Sequence, residues 1–411
     1  MRLRLAVVFL AFAASSIIAV MPVSATSGRD LPTLVVGNTA FAFDLYAAVT
    51  TQGGNLIISP YSISEALAMA YAGAAGVTED QMSNVLHFDL SRDTLLLSFR
   101  SLRAFLLSQD RFLTNVYRAP FELRVANRLW GQAGYGFLPE YLALLYTYCE
   151  AGLAETDFLG DPEGARRTIN GWVSDQTNAK IPELIPQGTI SSDTSLVLTN
   201  AVYLNAAWEY RFEADRTYDE TFHLRDGSEI EIPMMHQLED LLYARGTNWQ
   251  LVELPYANSA MVMTIILPDE GAFDTVEDAW DVERFGEMIG TAEPQRVRLA
   301  MPRFSLRKAL DVTDMLATMG MEAAIGPGAD FSGMDGTNLL YIDAVIHEAF
   351  IDVKEKGTEA AAATAVVGVG SSPPSDPVTV IDLALDRPFL FVLRDAETGT
   401  ILFMGRVLDP S

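Results

Sequence analysis

The sequence is poor in basic residues and histidine and has almost no cysteine. Its 411 residues include 28 Lys and Arg against 54 Asp and Glu, giving a formal net charge of -26. Such an acidic chain repels phosphate backbones and anionic lipid surfaces, which disfavours nucleic-acid and membrane-surface roles. A single Cys cannot form an internal disulfide, and the sequence contains neither an H-E-x-x-H nor a C-x-x-C motif. We therefore expect no metal site and no cofactor.

Motifs of an enzyme active site are also missing. No G-x-S-x-G motif occurs, and none of the four His accompanies a convincing nucleophile motif, so we predict that the protein is not an enzyme. Apolar residues make up 49% of the chain and charged residues 20%, a composition that supports a large buried core. Because no repeat, charge block or long Gly/Ser linker divides the chain after its N-terminal segment, we predict one domain over residues 26–411.

The N-terminal segment has the three-part pattern of a secretory signal. Arg2 and Arg4 precede an apolar run over 5–20, and Val23-Ser24-Ala25 leads into a polar stretch. We predict a cleavable signal peptide over 1–25 and a secreted, extracellular location, or a periplasmic one in a bacterium. The alternative is a membrane anchor, which the short apolar run disfavours.

The lone Cys149 falls on the apolar face of a predicted helix, which favours a buried, unreactive thiol.

The elements alternate irregularly between helix and strand, which predicts an α+β fold. Ser62 to Glu65 fits a capping box, and Asp161-Pro162 marks another helix start. Alternating apolar residues predict a strand over 195–205, and 388–394 with 401–407 predict a C-terminal hairpin.

Two polar residues stand at positions where periodicity predicts core. Asn200 lies between Leu198 and Val202 at the two-residue period, and His347 lies in a similar apolar pattern. A buried amide or imidazole must be hydrogen-bonded. The pattern leaves two possibilities open: the two side chains bond to each other or to the turn over 59–62, or each is satisfied independently.

An uncharged segment runs from Ala360 to Ser372 in this otherwise acidic chain. As a strand it would place Thr358, Ala360, Ala362, Thr364 and Val366 on one face and Glu359 on the other. Its small residues would fit between two existing strands without overpacking. The alternative is a short Ala-rich helix followed by a flexible linker. A segment exposed in one state and inserted as a strand in another combines both signatures.

Several segments in order make the chain resemble the serpins over its whole mature length. The matching segments are NLIISPYSISEALAMAYAGAAGVTEDQ (55–81), INGWVSDQTNAKI (169–181), TNAVYLNAAW (199–208), VELPY (252–256), residues 297–304, KEKGTEAAAAT (354–364), and the terminal RPF (387–389) and FMGR (403–406). The resemblance implies three β-sheets, about nine helices and an exposed reactive-centre loop at about 355–385.

The resemblance also implies three groups of site residues. The hinge where loop insertion begins would comprise Glu355, Gly357, Thr358, Glu359, Ala360, Ala361, Ala362, Ala363 and Thr364. The shutter, where the sheet parts, would comprise Ser59, Ser62, Asn170, Asn200 and His347. The breach, where the loop enters, would comprise Trp208, Arg303 and Glu355, with an ion pair between the last two.

The implied activity is inhibition of a serine protease, with the loop offered as a suicide substrate. The family's spacing places the scissile bond at Ser371-Ser372, with Val369-Gly370 and Gly370-Ser371 as alternatives. Small uncharged residues there suit elastase-like or subtilisin-like enzymes rather than trypsin-like or chymotrypsin-like ones. We expect a monomer whose partner is the target protease, bound covalently, with no glycosaminoglycan. The alternative function is a non-inhibitory serpin that binds or carries a ligand.

Overall fold

The computed structural model describes residues 27–108, 121–149, 152–257, 259–358 and 379–411, and they form a mixed α+β fold. The helices are α1 Ser27–Val49, α2 Pro60–Tyr71, α3 Gly76–Leu86, α4 Arg92–Ser108, α5 Pro139–Cys149, α6 Pro162–Gln176, α7 Phe273–Asp278, α8 Val282–Gly290, α9 Thr313–Leu316 and α10 Ser332–Asp335. Shorter helical turns cover Thr50–Gln52, Ala214–Arg216, Ala317–Met321 and Glu322–Ala324. The strands are β1 Leu56–Ile58, β2 Phe121–Gln132, β3 Leu153–Thr156, β4 Leu196–Ala207, β5 Thr217–His223, β6 Glu229–Gly246, β7 Trp249–Pro255, β8 Met261–Pro268, β9 Glu293–Pro302, β10 Phe304–Asp311, β11 Ala344–Lys354, β12 Gly357–Thr358, β13 Val380–Ala384, β14 Phe389–Asp395 and β15 Ile401–Val407. The predicted α+β class is confirmed.

A six-stranded sheet, here called the central sheet, has the order β10-β11-β12-β4-β2-β3. Its middle strands β4 and β11 run parallel and pair directly from Val197 with Ala344 to Tyr203 with Phe350. At one end the two-residue strand β12 lies between them and runs antiparallel to both. We call the boundary between β4 and β11 the seam, and the end that holds β12 its upper end.

The remaining strands form a second sheet of nine strands. The resemblance implies three sheets, and here the strands outside the central sheet are joined because β6 is 18 residues long. Successive parts of β6 pair with β5, β9 and β7. One continuous strand therefore connects what would otherwise be two separate sheets.

Each face of the central sheet is covered by its own apolar layer. On the inner face, Leu198 and Val202 of β4 belong to the main core, in which every residue of α2 is buried. On the outer face, Ala201 of β4 belongs to a second cluster that includes Ile169 and Val173 of α6. Because side chains alternate along a strand, β4 contributes to both layers.

Two local predictions are confirmed and one is wrong. Asp161 caps α6, accepting a hydrogen bond of 2.8 Å from the Gly164 amide, and Phe389–Asp395 and Ile401–Val407 form the C-terminal hairpin. The capping box at Ser62 to Glu65 is wrong because α2 begins at Pro60. Proline at the first helical position needs no amide partner, so both polar side chains lie inside the helix and serve another purpose, described below.

The predicted signal peptide over 1–25 lies outside the described residues. Asp30–Gln52, within and just beyond α1, is long and apolar enough to cross a membrane, but 56% of its most apolar window is buried inside the protein. That burial is typical of a core helix.

Cys149 ends α5 and is partly buried against the core, and burial raises the pKa of its thiol to about 12. A thiol with so high a pKa is protonated at neutral pH and unreactive.

Candidate functional site

The first residues of the predicted loop are already seated in the central sheet. Thr358 lies between Ala206 of β4 and Val353 of β11 and is fully buried. Its hydroxyl lies 2.6 Å from that of Tyr256, which is itself buried. Because β12 is antiparallel to both neighbours, its two residues have the direction and position of an additional strand in the seam.

Gly357 is required by the close approach of β12 to β4. Its φ angle is 146°, and a Cβ at this position would lie 2.1 Å from the backbone oxygen of Ala206. A contact this short with backbone cannot be relieved by rotating a side chain. Any other residue at position 357 would push β12 away from β4.

Trp208 fastens the chain that leads into β12. Its amide donates to the carbonyl of Lys356 and its indole Nε1 to the carbonyl of Lys354, both at 3.0 Å. The Phe212 amide donates to the carbonyl of Glu355 at 2.9 Å. The indole also stacks on Tyr256, with ring centroids 4.4 Å apart. Trp208 thus holds the turn between β11 and β12 from two directions.

The predicted contact between Arg303 and Glu355 is present beside this turn. Arg303 donates from Nε to Glu355 Oε1 at 2.7 Å, and the Thr217 hydroxyl donates to the same oxygen at 2.7 Å. Burial alone would raise the pKa of Glu355, but the hydrogen bonds from Arg303 and Thr217 outweigh it, so the pKa lies below its usual value. The carboxylate is buried, whereas the Arg303 side chain is 43% exposed.

Lower in the seam, four of the five predicted shutter residues meet in one hydrogen-bonded cluster, here called the seam network. The Ser59 amide donates to His347 Nε2 at 3.1 Å, and His347 Nδ1 bonds to Asn200 Oδ1. Asn200 Nδ2 in turn donates to Ser62 Oγ and to Asn127 Oδ1. All five of these residues are buried. The first of the two possibilities that the sequence left open is therefore correct: Asn200 and His347 bond to each other.

The donors and acceptors of the seam network have a definite order. Because the Ser59 amide donates to Nε2, that nitrogen carries no hydrogen. Burial lowers the pKa of His347 to about 3, so the ring is neutral at pH 7 with its hydrogen on Nδ1. Nδ1 therefore donates to Asn200 Oδ1 across the seam. This bond joins the side chains of two directly paired residues of β4 and β11.

Asn127 of β2 is a member of the seam network that sequence reasoning missed. It accepts from Ser62 Oγ at 3.0 Å and donates to the Ser62 carbonyl at 3.1 Å and to Glu65 Oε2 at 2.7 Å. Ser62 and Glu65, mistaken for a capping box, thus bind this amide. A signal was available, since Asn127 lies between Val125 and Leu129 at the same two-residue period that singled out Asn200.

Asn170, the fifth predicted shutter residue, forms its hydrogen bonds outside the seam network. It lies on α6, donates to the Ile185 carbonyl at 2.9 Å, and accepts from the amides of Leu184 and Ile185 at 3.0 and 2.8 Å. These bonds fasten the loop that follows α6. Asn170 therefore belongs to the layer over the outer face of the sheet, on the opposite side from Ser62 and Asn127.

The remaining predicted site residues lie outside the described part of the chain. These are Glu359 to Thr364 of the hinge and Ser371 and Ser372 of the scissile bond. Glu355, Gly357 and Thr358 are the hinge residues that the structure describes, and all three are buried.

Comparison with known proteins identifies the family. The model of the family "Serpin (serine protease inhibitor)" matches residues 36–410, and the chain belongs to the serpin family. It is 40% identical to an uncharacterized serpin-like protein of Thermococcus kodakarensis, over 93% of this chain and 87% of that protein. It is 38% identical to the leukocyte elastase inhibitor of Bos taurus, over 92% and 99%. Human thyroxine-binding globulin complexed with thyroxine has a similar structure, with a TM-score of 0.81 and 28% identity over 93% of this chain and 99% of that one.

Proposed function

We propose that this serpin is inhibitory and acts as a suicide substrate of a serine protease. The protease attacks the reactive-centre loop near Ser371-Ser372 and becomes joined to it as an acyl-enzyme. The loop, cut at that bond, then inserts into the seam as a new strand and carries the enzyme with it, so that the ester is trapped before water can hydrolyse it.

The seating of Gly357 and Thr358 between β4 and β11 is the observation that carries this proposal. In these two residues the chain adopts the direction, pairing and burial that an inserted strand needs. The residues that follow are small and uncharged from Ala360 to Ser372, so they can extend the same strand without burying a charge. Glu359 is the one charged residue between positions 359 and 372, and strand alternation would place it on the face opposite to that of Thr358.

Insertion has a large driving force. A strand of about a dozen residues that pairs on both sides gains hydrogen bonds at roughly 0.5–1.5 kcal/mol net each, on the order of ten kcal/mol in total. That is similar to the stability of a whole domain. It is sufficient to displace and distort a bound enzyme.

The target class follows from the residues around the bond. Gly370, Ser371 and Ser372 offer neither a cation nor an aromatic ring, and they suit the shallow pocket of an elastase-like or subtilisin-like enzyme. The 38% identity to a protein named leukocyte elastase inhibitor supports the first of these classes.

A carrier function is the second candidate, because thyroxine-binding globulin has a similar fold. A cavity of about 730 Å³ lies between β6, α7 and the segment before β14. Its lining is charged: Arg225 pairs with Asp274, and Arg387 with Asp386. Carrier pockets are predominantly apolar with a few polar groups. This lining supports a solvated cleft rather than a carrier site.

The test is to mix the protein with elastase and with subtilisin, using trypsin as the matched control enzyme. We expect a complex that survives SDS and boiling with the first two enzymes, and none with trypsin. Mass spectrometry of the C-terminal fragment should show that it begins at Ser372 or up to two residues earlier. Cleavage of the loop without a covalent complex would overturn the inhibitory proposal.

Export and partners are part of the same proposal. We propose removal of residues 1–25, which N-terminal sequencing of protein recovered outside the cell would test. We also propose that the protein acts as a monomer and without a glycosaminoglycan. In support of the absence of a glycosaminoglycan, Arg92 and Arg103 of α4 pair with Glu79 and Glu65.

A further inference from the structure

A small cavity lies where the turn between β6 and β7 meets α7 and α8. The two strands pair up to Gly246 with Trp249, so Thr247 and Asn248 form a two-residue turn. Asn248 adopts a φ of 67°, a positive value that such turns favour. The cavity has a volume of about 120 Å³. This is below the roughly 300–1,000 Å³ of pockets for drug-sized ligands, so the cavity suits a ligand of a few carbon atoms.

The floor of the cavity is apolar. Trp249, Val276 and Met288 line it, and all three side chains are buried. The Trp249 ring lies directly over Gly246, where a Cβ would come within 2.3 Å of the ring carbons. Only glycine at position 246 leaves room for this ring position, so the close approach of ring and backbone fixes one wall of the cavity.

Trp249 also brings an unpaired hydrogen-bond donor to this wall. The residue is 6% exposed, and its indole Nε1 has no hydrogen-bond partner among the described residues. An unpaired donor in the protein interior costs free energy, which a bound acceptor would recover. Because an indole nitrogen can only donate, the missing partner must be an acceptor.

The charge on the lining of the cavity has one sign. Of the described residues that line it, Arg284 alone is charged, and it is a cation in a chain with a formal net charge of -26. Its Nη1 lies 3.7 Å from Glu287 Oε2, which is beyond hydrogen-bond distance. Thr247 and Thr275 add hydroxyl groups at the exposed rim. A ligand here therefore meets a guanidinium and hydroxyl groups but no carboxylate.

We propose that this cavity binds a short-chain carboxylate. The carboxylate accepts hydrogen bonds from the Arg284 guanidinium and from Trp249 Nε1, and the alkyl chain packs on Val276 and Met288. One ligand satisfies all of these groups only if it combines an anionic acceptor with a short apolar chain. An inorganic anion would leave the floor uncovered, and a neutral alcohol would leave the guanidinium without an anion.

Titration of the intact protein with sodium butyrate tests the site, with the ionic strength held constant by sodium chloride. The readout is the indole ¹H–¹⁵N signal of Trp249 in ¹⁵N-labelled protein, assigned as the signal that Trp249→Phe lacks. We expect a saturable downfield shift of this proton, because its nitrogen gains an acceptor, with a dissociation constant on the order of 1 mM. 1-Butanol, which has the chain without the charge, and sulfate, which has charge without the chain, should bind at least about tenfold more weakly.

Two arginine variants separate the cavity from general surface charge. Arg284→Gln keeps a polar side chain and removes the cation, so it should weaken butyrate binding by about 10- to 100-fold. Arg245→Gln is the matched control, because Arg245 lies on β6 near the same turn but pairs with Asp269 and does not line the cavity. It should bind butyrate like wild type. Both arginines are partly exposed, and equal denaturation midpoints of the two variants will show that both are folded.

The absence of a saturable shift of the Trp249 signal would overturn the proposed site. An equal response to butanol or sulfate, or wild-type affinity in Arg284→Gln, would do the same. These outcomes are independent of protease inhibition, because none of the described residues that line the cavity belongs to β4, β11 or β12. Failure of either proposal therefore leaves the other standing.

Discussion

Replacing Thr358 by Arg is the sharpest perturbation of the proposed mechanism. Thr358 is fully buried between Ala206 and Val353, and its hydroxyl contacts Tyr256. An arginine here would meet apolar walls and one phenol. The nearby carboxylate of Glu355 is already bound by a guanidinium and a hydroxyl.

The magnitudes favour expulsion of β12. Two residues that pair on both sides contribute about 2–6 kcal/mol of net hydrogen bonding, and the Thr358 hydroxyl adds about 1 kcal/mol. Burying an unpaired guanidinium costs several kcal/mol and also removes the hydroxyl contact. The variant loop would therefore leave the seam. If insertion becomes harder by about 3 kcal/mol, it slows more than 100-fold, and hydrolysis of the acyl-enzyme precedes it.

The assay is the stoichiometry of elastase inhibition together with SDS gels. Thr358→Arg should be cleaved completely without forming a covalent complex, while Thr358→Ser should inhibit like wild type. Lys356→Arg is the matched control, because it places a guanidinium two residues away at an exposed position. A covalent complex with Thr358→Arg at the wild-type stoichiometry would refute the argument that a buried hinge starts insertion.

Three further predictions concern the breach and the seam network. Glu355→Gln should lower the unfolding free energy of the intact protein by about 1–3 kcal/mol, measured by urea titration, because Arg303 loses its charged partner. Lowering the pH from 7 to 5 should lower the unfolding free energy by about 2 kcal/mol through His347. The pKa of this side chain is about 3 in the folded protein and 6.5 in the unfolded chain, so the unfolded chain binds more protons between pH 7 and pH 5. The variant His347→Gln should lack this contribution to the pH dependence. Asn127→Ala should speed uptake of a synthetic peptide with the sequence of residues 359–372, because the substitution removes a hydrogen-bond partner of Asn200. Asn170→Ala should leave the uptake rate unchanged, because Asn170 bonds to Leu184 and Ile185 instead. Equal uptake rates in the two variants would contradict the conclusion that Asn127 belongs to the seam network and Asn170 does not.

Sequence periodicity was sufficient to recognise two polar residues that lie within buried strands. The alternation around Asn200 and His347 placed both side chains inside the sheet, and the structure joins them. Pattern alone could not show the partner, because hydrogen bonds between strands more than a hundred residues apart depend on register. Register is set by packing of the whole sheet rather than by local residues.

Two sequence-based groupings at the site differ from the contacts in the structure, and the causes are related. Ser62 and Glu65 match a capping box, but Pro60 starts α2 one turn earlier and turns them toward Asn127. Local spacing cannot distinguish these outcomes, since the same side chains can bind a helix end or a distant amide. Asn170 was grouped by resemblance with residues of the inner face, whereas its helix lies on the outer face. A single sequence does not specify which face of a sheet a helix covers.

The seam combines weak and strong attachments along its length, and under the proposed mechanism this distribution determines how it opens. Near its upper end the walls are mostly apolar side chains, and separating them breaks the backbone pairing of β4 with β11, which extends to Tyr203 and Phe350. Midway, Asn200 and His347 join the walls by a buried hydrogen bond, and at the lower end Asp343 accepts from the amides of Ser195 and Leu196 at 2.8 and 2.9 Å. A loop entering from β12 would therefore gain strand pairing before it reaches the hydrogen bond between His347 and Asn200. By then several residues would have been inserted, and their hydrogen bonds would offset the cost of breaking the contact between Asn200 and His347.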